Sequence, residues 1–172
     1  MKTDWTITGV GGQAVVAEGG SMRCQLTGYK MMLWSARNNL VNAEVIGSVK
    51  LYASANAVAG FVLRCDVTGD NAYLLRIVGY SPKRYMLYRI VAGVYTLLGQ
   101  ADSVEPQGVY TTIRFRVDGD QVSVEEKILG TWNLIKVCTD GYITAGGYAG
   151  LKNESVSGYY AWYDDVTIQE RP

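Results

Sequence analysis

Hydrophobic and polar residues alternate along most of the chain with the two-residue period of half-buried β-strands. The clearest example is the segment 112–117, Thr-Ile-Arg-Phe-Arg-Val, in which every second residue is apolar. Asp118-Gly119-Asp120 then predicts a turn, and the alternation resumes at Val122 and Val124. An Asp-Gly step between two alternating runs is a strong signal for a β-hairpin.

Strands of this kind recur about every ten residues, with no linker and almost nothing helical between them. They are predicted near residues 13–17, 21–26, 29–34, 43–53, 58–66, 72–79, 84–91, 94–101, 109–118, 121–128, 132–138, 145–150 and 159–169. Segments 73–78 and 84–90 are apolar on both phases, so we expect them mid-sheet with both faces covered. The pattern predicts an all-β fold, a single antiparallel β-sandwich domain over residues 1–172.

Several longer segments follow one another in a recognisable order. After Trp5 and a series of short glycine-rich strands come VNAEVIGSVKLYASANAVAGFVLRCD (41–66), NAYLLRI (71–77), YMLYRI (85–90), YTTIRFRVDGDQVSVEE (110–126), AGGYAGL (145–151) and WYDDVTIQE (162–170). This order resembles the concanavalin A-like lectin/glucanase superfamily, in particular its laminin-G-like and laminarinase-like jelly rolls. The resemblance covers nearly the whole chain and implies a jelly-roll sandwich. Members include sugar-binding modules, glycoside hydrolases and phage tail or capsid proteins, so it implies a fold and not an activity.

Composition excludes several kinds of chemistry. The chain of 172 residues contains 16 basic residues, 16 acidic residues and no histidine. Without histidine there is no Ser-His-Asp triad, no Cys-His pair and no histidine-ligated zinc or iron. A formal net charge of zero argues against a nucleic-acid partner, because such proteins usually carry an excess of basic residues.

Acidic residues do not form the pattern of a glycosidase. The superfamily's hydrolases carry two glutamates and an aspartate spaced E-x-D-x-x-E, and no such string occurs here. Glu125 and Glu126 are adjacent, so in a strand their side chains point to opposite faces. Glu44, Glu105 and Glu154 are solitary. Because a retaining glycosidase needs two carboxyl groups about 5 Å apart, we expect a protein that is not an enzyme.

The cysteines and the hydropathy of the chain indicate the cellular compartment in which the protein is made. Cys24, Cys65 and Cys138 are odd in number, far apart and without CxxC spacing. This favours buried free thiols, with a disulfide or a metal site as open alternatives. The N-terminus lacks an apolar stretch of signal-peptide length, and no segment approaches the roughly 18 apolar residues of a membrane span. We therefore expect synthesis in a cytoplasm and no membrane insertion.

Asp164 and Asp165 are the candidate metal ligands. In laminarinase-like and related sugar-binding jelly rolls, an aspartate at a similar place in the last strand often ligates a structural calcium, so the resemblance implies a calcium site here. Calcium prefers about six to eight oxygen ligands, which carboxylates and loop carbonyls supply. The alternative is that one aspartate hydrogen-bonds a neighbouring turn and the other faces water. We infer no other cofactor.

Arginines and aromatic residues supply the candidate glycan site. Five arginines lie in strongly apolar strands: Arg64, Arg76, Arg89, Arg114 and Arg116. If several share one concave face, they form a basic strip for acidic glycans, because guanidinium pairs with carboxylate through two hydrogen bonds. The alternative is an ordinary solvated face on which arginine stems cover apolar neighbours.

Aromatic side chains are concentrated in the last third of the chain, at Tyr142, Tyr148, Tyr159, Tyr160, Trp162 and Tyr163. Sugar rings stack on such side chains, and subunit interfaces and cores use them too. Together the two patterns nominate a set of glycan-binding candidates: Arg64, Arg76, Arg89, Tyr148, Tyr160 and Trp162.

Two functions stay open on the sequence. The one we expect is a non-catalytic phage virion component, a tail, fibre or capsid-surface subunit assembled in the host cytoplasm. Its partners would be other virion subunits or further copies of itself in a homo-oligomer, and a host cell-surface glycan is a further candidate ligand. The initiator methionine, the missing signal peptide and the missing catalytic carboxylates favour it. The alternative is a carbohydrate-binding module of a glycan-active protein, which would be extracellular.

Overall fold

The computed structural model describes the backbone of residues 5–8, 13–18, 21–26, 30–34, 37–51, 56–106, 108–155 and 159–172, and most side chains from Met31 onward. Within these ranges the regular elements are all strands. They are β1 (Trp5–Thr8), β2 (Gln13–Glu18), β3 (Ser21–Leu26), β4 (Lys30–Trp34), β5 (Ala43–Leu51), β6 (Val58–Cys65), β7 (Ala72–Val78), β8 (Arg84–Val91), β9 (Val94–Asp102), β10 (Thr111–Asp118), β11 (Gln121–Ile128), β12 (Thr131–Thr139), β13 (Tyr148–Asn153) and β14 (Tyr160–Glu170).

The predicted strands correspond to β2 through β14, and the short strand β1 precedes them. Residues 29, 52 and 53, at the ends of two predicted strands, lie outside the described residues. The largest displacement is at β13, predicted over 145–150 and observed over Tyr148–Asn153. Lys152 and Asn153, beyond the predicted end of this strand, are polar, yet both side chains are buried.

The strands form two seven-stranded sheets. The first has the order β1-β4-β13-β6-β7-β8-β9, and the second has the order β12-β11-β10-β5-β14-β3-β2. Every strand pair in them is antiparallel. The predicted antiparallel β-sandwich is therefore confirmed.

The predicted hairpin joins β10 to β11. Asp118 pairs with Gln121 and Val117 pairs with Val122, so the turn contains only Gly119 and Asp120. Gly119 has φ +57°, a left-handed conformation that a two-residue hairpin turn requires and that glycine adopts without strain. The hairpin prediction is confirmed.

The core lies between the two sheets, where alternate residues of the central strands face inward. Its largest fully buried aromatic side chains are Phe61, Tyr73, Tyr85, Phe115 and Tyr163. Full burial of a side chain of this size contributes about 1.5–3 kcal/mol. The Tyr163 hydroxyl accepts a hydrogen bond from the Gly60 N–H at 3.0 Å and donates to the Lys152 carbonyl at 2.9 Å.

A smaller buried cluster lies on the outward face of the first sheet, formed by Met31, Leu33, Val62, Cys65, Ala72, Leu74 and Ile90. Strand β7 is thus buried on both faces, as predicted for residues 73–78. On β8, Met86 and Tyr88 are only partly buried, so the same prediction for residues 84–90 is wrong on the outward side. The reason is position, because β8 lies beside the edge strand β9.

Cys65 is a buried free thiol, as predicted, whereas Cys138 is free but partly exposed. The side chain of Cys24 lies outside the described residues. In the part of the chain that the structure describes, no helix has the length and apolar character to cross a membrane.

Alkaline pH is expected to destabilise the protein through Cys65. Burial raises the pKa of this thiol from 9.0 to about 12, so the folded state holds the proton more tightly than the unfolded chain. The contribution is complete below pH 9 and is lost as the pH rises toward 12. In urea titrations we expect this group to lower the free energy of unfolding by about 2 kcal/mol between about pH 9 and 10.5. Cys65→Val should remove that part of the slope, and an identical slope in the variant would contradict the assignment.

Candidate functional site

The outward face of the first sheet carries charged side chains among its apolar ones. Strand register places Lys152 of β13, Gly60 of β6, Arg76 of β7 and Met86 of β8 in one row across this face. The row points away from the core because the alternate positions of the same strands fill the core. Gly60 contributes no side chain, so nothing on β6 stands between the two cations in this row.

Glu154, which follows β13, joins these groups. Its side chain is only 4% exposed, and its Oε2 lies 2.9 Å from Arg76 Nε. Its Oε1 lies 3.1 Å from Lys152 Nζ. The Tyr95 hydroxyl donates to the same Oε1 at 2.9 Å and itself accepts a hydrogen bond from Lys152. One buried carboxylate therefore holds side chains from three strands together.

These contacts require the face to be concave. Strand β9 lies four positions from β13 in the sheet order. That separation is about 19 Å in a flat sheet, because neighbouring strands lie about 4.8 Å apart. The hydroxyl of Tyr95 on β9 nevertheless reaches the carboxylate of Glu154 beside β13. The sheet therefore curves so that side chains from its margins meet above the central strands, which accounts for the burial of Val62 and Leu74 beneath them.

Two tyrosines line an open cleft beside this network. The rings of Tyr88 and Tyr95 meet edge to face, with centroids 5.8 Å apart and an interplanar angle of 74°. The cleft has a volume of about 400 Å³, and its described lining residues are Arg76, Tyr88, Tyr95 and Glu154. This volume is within the range of small-molecule sites. We call Arg76, Tyr88, Tyr95, Lys152 and Glu154 the concave-face cluster.

Charge in the cluster is set by its buried carboxylate. Burial by itself lowers the pKa of the Lys152 ammonium, but attraction to Glu154 and the hydrogen bond with Tyr95 outweigh burial and raise it. Burial raises the pKa of the Tyr95 hydroxyl. At neutral pH Lys152 is therefore a cationic donor and the Tyr95 phenol is neutral, and both lie beside aromatic surface. That combination suits a ligand with hydroxyl groups on an otherwise apolar ring face.

A second cleft, of about 550 Å³, lies where the β6–β7 turn meets the loop before β13, and its lining includes Asn38, Arg64, Asp66, Asn71, Tyr142 and Tyr148. We call it the edge cleft. The Asp66 carboxylate is committed to its own turn, since it accepts hydrogen bonds from the backbone of Gly69, Asp70 and Asn71. Although burial acts in the opposite direction, these bonds and those of the Asn71 and Thr68 side chains lower the pKa of Asp66.

Arg64 ties loops together at the edge cleft. The β6–β13 register shifts between Tyr148 and Gly150, and Arg64 has φ +48°, so its side chain leaves the outward face of the sheet. Its guanidinium donates to the carbonyls of Val41 at 2.6 Å, Ile143 at 2.5 Å and Gly119 at 2.7 Å. The residue is 4% exposed. Arg64 therefore has a structural role, because its guanidinium is occupied by loop carbonyls and is not open to a ligand.

The predicted basic strip does not form, because the five arginines lie on different faces. Arg89 pairs with Tyr73 in the sheet, so it faces inward, 2.8 Å from Asp140. Arg114 and Arg116 alternate with core residues of β10, so they lie on the outward face of the second sheet, paired with glutamates. Arg76 is the member of the five that reaches the concave-face cluster.

The aromatic candidates are also dispersed. Tyr148 lines the edge cleft and packs against the smaller buried cluster. Trp162 alternates with the core residues of β14, and Lys50 Nζ lies 5.3 Å from the centre of its ring. The side chain of Tyr160 lies outside the described residues. The six glycan-binding candidates therefore belong to at least three separate places.

Asp164 and Asp165 lie at a bulge in β14, where the pairing with β5 shifts between Asp164 and Thr167. Asp165 has φ +49°, and its N–H donates to Asp164 Oδ1 at 3.0 Å. Among the described residues, no group of three or more His, Cys, Asp or Glu side chains gathers to hold a metal. Calcium at this pair stays a prediction: a bound ion implies that EDTA lowers the melting temperature and that calcium restores it, whereas an unchanged melting temperature removes the site.

Sequence reasoning missed four members of the concave-face cluster: Tyr88, Tyr95, Lys152 and Glu154. It interpreted Glu154 as a solitary glutamate, because its partners Arg76 and Tyr95 are distant in the chain. Tyr88 and Tyr95 flank a short turn between β8 and β9, and this proximity was an available signal. The sequence alone does not give the register of β7 and β13, so it does not show that this turn lies near Arg76.

Comparison with solved structures identifies the class of fold as the concanavalin A-like jelly-roll sandwich that the sequence resembles. No family model matches the sequence, and a search of curated proteins found no match. The similar structures cover nearly the whole chain. Their sequence identities are so low that they show only a shared fold.

Three similar structures illustrate the range. The carbohydrate-binding module CBM66 from Bacillus subtilis has a TM-score of 0.77 and 16% identity, over 98% of this chain and 96% of that chain. The VIP36 exoplasmic/lumenal domain, in a form bound to Ca²⁺ and Man3GlcNAc, has a TM-score of 0.73 and 10% identity, over 100% of this chain and 85% of that one. The GH43 protein BlXynB from Bacillus licheniformis has a TM-score of 0.75 and 12% identity, over 99% of this chain but only 37% of the enzyme.

Proposed function

We propose that this protein is a non-catalytic carbohydrate-binding module and that its ligand occupies the concave face of the first sheet. The observation that carries the proposal is the cluster of Tyr88, Tyr95, Arg76 and Glu154 around one open cleft. The structural likeness to a carbohydrate-binding module and to a glycan-bound lectin domain supports the same class of function.

Binding would use groups that the fold already holds in place. The apolar face of a sugar ring stacks on Tyr88 or Tyr95, whose edge-to-face contact limits their rotation. Hydroxyl groups at the rim of the ring then meet the Tyr95 hydroxyl and the Arg76 guanidinium. Because Glu154 fixes both of these groups before binding, little side-chain entropy is lost on association.

The carboxylate arrangement favours binding over hydrolysis. Glu154 is the carboxylate among the described residues that line the concave cleft, and it is ion-paired with two cations. Glycoside hydrolysis in most families needs a second carboxyl group about 5–9.5 Å from the first, on the other side of the scissile bond. The likeness to the GH43 protein covers only 37% of that protein, so it does not assign glycoside hydrolysis to this chain.

Three single substitutions locate the site. We expect Tyr88→Ala to weaken binding of a glycan at least tenfold, because the loss of a stacking ring removes a large share of the contact area. Tyr142→Ala at the edge cleft and Trp162→Ala on the second sheet should stay within about twofold of wild type. Isothermal titration calorimetry with ligands selected from a glycan array measures all four proteins. Loss of binding in Tyr142→Ala with full binding in Tyr88→Ala would place the site at the edge cleft instead.

The virion hypothesis stays a prediction. None of the three similar structures described above is a virion protein. Light scattering at micromolar concentration tests it, since a discrete trimer or larger ring favours a virion subunit. A monomer of 18.9 kDa favours the carbohydrate-binding module.

A further inference from the structure

The concave-face cluster contains more positive than negative charge. Arg76 and Lys152 share one carboxylate, that of Glu154. The adjoining ion pair on the same face, Arg84 with Asp102 at 2.8 Å, is balanced and exposed. The outward positions of β6 beside the cluster, Val58, Gly60 and Val62, carry no charge. The cluster therefore keeps one uncompensated positive charge among its described groups.

Arg76 holds this excess charge at an accessible position. Its side chain is 33% exposed, and its Nε lies against Glu154 while it lines the concave cleft. This Nε is buried and has no hydrogen-bond partner, so its contact with Glu154 is an ion pair. Among the described residues, no hydrogen bond from Nη1 or Nη2 of Arg76 is found. The guanidinium of Arg64, by contrast, uses three nitrogens on loop carbonyls. Two terminal nitrogens of a guanidinium match the two oxygens of a carboxylate.

Lys152 makes a poorer anion ligand. Its ammonium is already hydrogen-bonded to Tyr95 and paired with Glu154, and the residue is 8% exposed. Its role is to hold Tyr95 beside the cleft. Arg76 is thus the group through which an anion would bind, in the cleft that Tyr88 also lines.

We propose that the concave cleft binds a sugar residue that carries a carboxylate, with the acid on Nη1 and Nη2 of Arg76 and the ring on Tyr88. The inference rests on the proposed function and narrows it to acidic glycans. Two natural sources share this chemistry, the hexuronic acids of acidic polysaccharides and the sialic acids of cell-surface glycans. Either acid brings a charge that completes the Arg76–Glu154–Lys152 network.

The test compares acids with neutral counterparts of the same shape. Calorimetry uses tri-galacturonate and 3′-sialyllactose, each beside its own methyl ester, on the full chain at about 50 mM and 300 mM salt. We expect at least one acid to bind tenfold or more tightly than its neutral counterpart, with the advantage reduced at high salt. The pair that shows the advantage identifies the source.

Substitutions assign that advantage to Arg76. We expect Arg76→Gln to weaken both ligands, because Arg76 also contacts sugar hydroxyls, but to weaken the acid at least tenfold more, so that the preference for the acid is lost. Arg76→Lys should restore only part of that preference, because lysine lacks the fork. Arg114→Gln, on the second sheet, makes the same change in net charge and should keep the preference. Melting temperatures within a few degrees of wild type show that the variants are folded.

Each outcome separates the two proposals. If neutral and acidic ligands bind equally and Tyr88→Ala abolishes both, the carbohydrate site stands and the acid specificity is wrong. If acids are preferred but Arg76→Gln keeps the preference, the carboxylate binds elsewhere and this inference is overturned. If none of the four ligands binds and a glycan array is blank, the proposed function itself fails.

Discussion

Replacing Arg64 with methionine is expected to lower the free energy of unfolding by about 2–4 kcal/mol, because three part-buried hydrogen bonds are lost and each contributes about 0.5–1.5 kcal/mol. The carbonyls of Val41, Gly119 and Ile143 would lose their donor together. Methionine fills a similar volume, so the effect reports the lost hydrogen bonds more than an empty space. Urea denaturation followed by intrinsic fluorescence measures the change.

An exposed arginine provides the control for Arg64. Arg84 is exposed and pairs with Asp102, so Arg84→Met should lower the free energy of unfolding far less than Arg64→Met does. A change in Arg64→Met as small as that in the control would show that the three carbonyls find other donors. Because Arg64 orders the edge cleft and not the concave face, glycan affinity of the folded variant should stay within twofold of wild type.

The second large effect is expected at Glu154. Glu154→Ala leaves the buried ammonium of Lys152 without its charge partner and releases both Arg76 and Tyr95. Removal of one partner from a buried pair typically costs about 3–5 kcal/mol, and because Arg76 is one-third exposed we expect about 2–4 kcal/mol. Glycan affinity should fall at least tenfold, because the groups that contact the ligand are no longer held.

A conservative variant at this position and a control on the second sheet complete the test. Glu154→Gln keeps the shape and one acceptor, so it should recover part of both the stability and the affinity. Glu125→Ala removes a carboxylate that is paired with Arg114 and Arg116 on the second sheet, and it should leave glycan affinity unchanged. Full affinity in folded Glu154→Ala would exclude the concave-face cluster as the binding site.

The sandwich could be predicted from the sequence because strand alternation and turn chemistry are local. The period of two in residues 112–117 and the Asp-Gly turn after it fix a hairpin without knowledge of any distant residue. The exception at β13 is not local, because Lys152 and Asn153 are polar but buried, and Lys152 hydrogen-bonds to Tyr95 of the distant strand β9.

The site could be predicted only in part, because it depends on register and on bulges. Simple alternation along β6 places Arg64 on the outward face with Gly60 and Val62. At the irregularity beside β13, however, Arg64 adopts φ +48° and Cys65 takes the outward position in the smaller buried cluster. This change in the alternation of inward and outward side chains places Arg64 outside the predicted basic strip.

Arg76 was among the glycan-binding candidates, and the structure places it on the concave face with partners that the sequence did not indicate. Glu154 lies after a strand that is two positions from β7 in the sheet, and Tyr95 lies on the far edge. Only the curvature of the sheet brings these groups together. The alternation of hydrophobic and polar residues carries no information about that curvature.

The most direct test of the concave-face site is a titration of isotope-labelled protein observed by NMR. Tri-galacturonate is the first ligand, replaced by a neutral glycan if one binds more tightly. We expect chemical-shift changes to concentrate at Arg76, Tyr88, Tyr95, Lys152 and Glu154, with little change at Tyr142 and Trp162. Changes confined to the edge cleft or to the second sheet would contradict it.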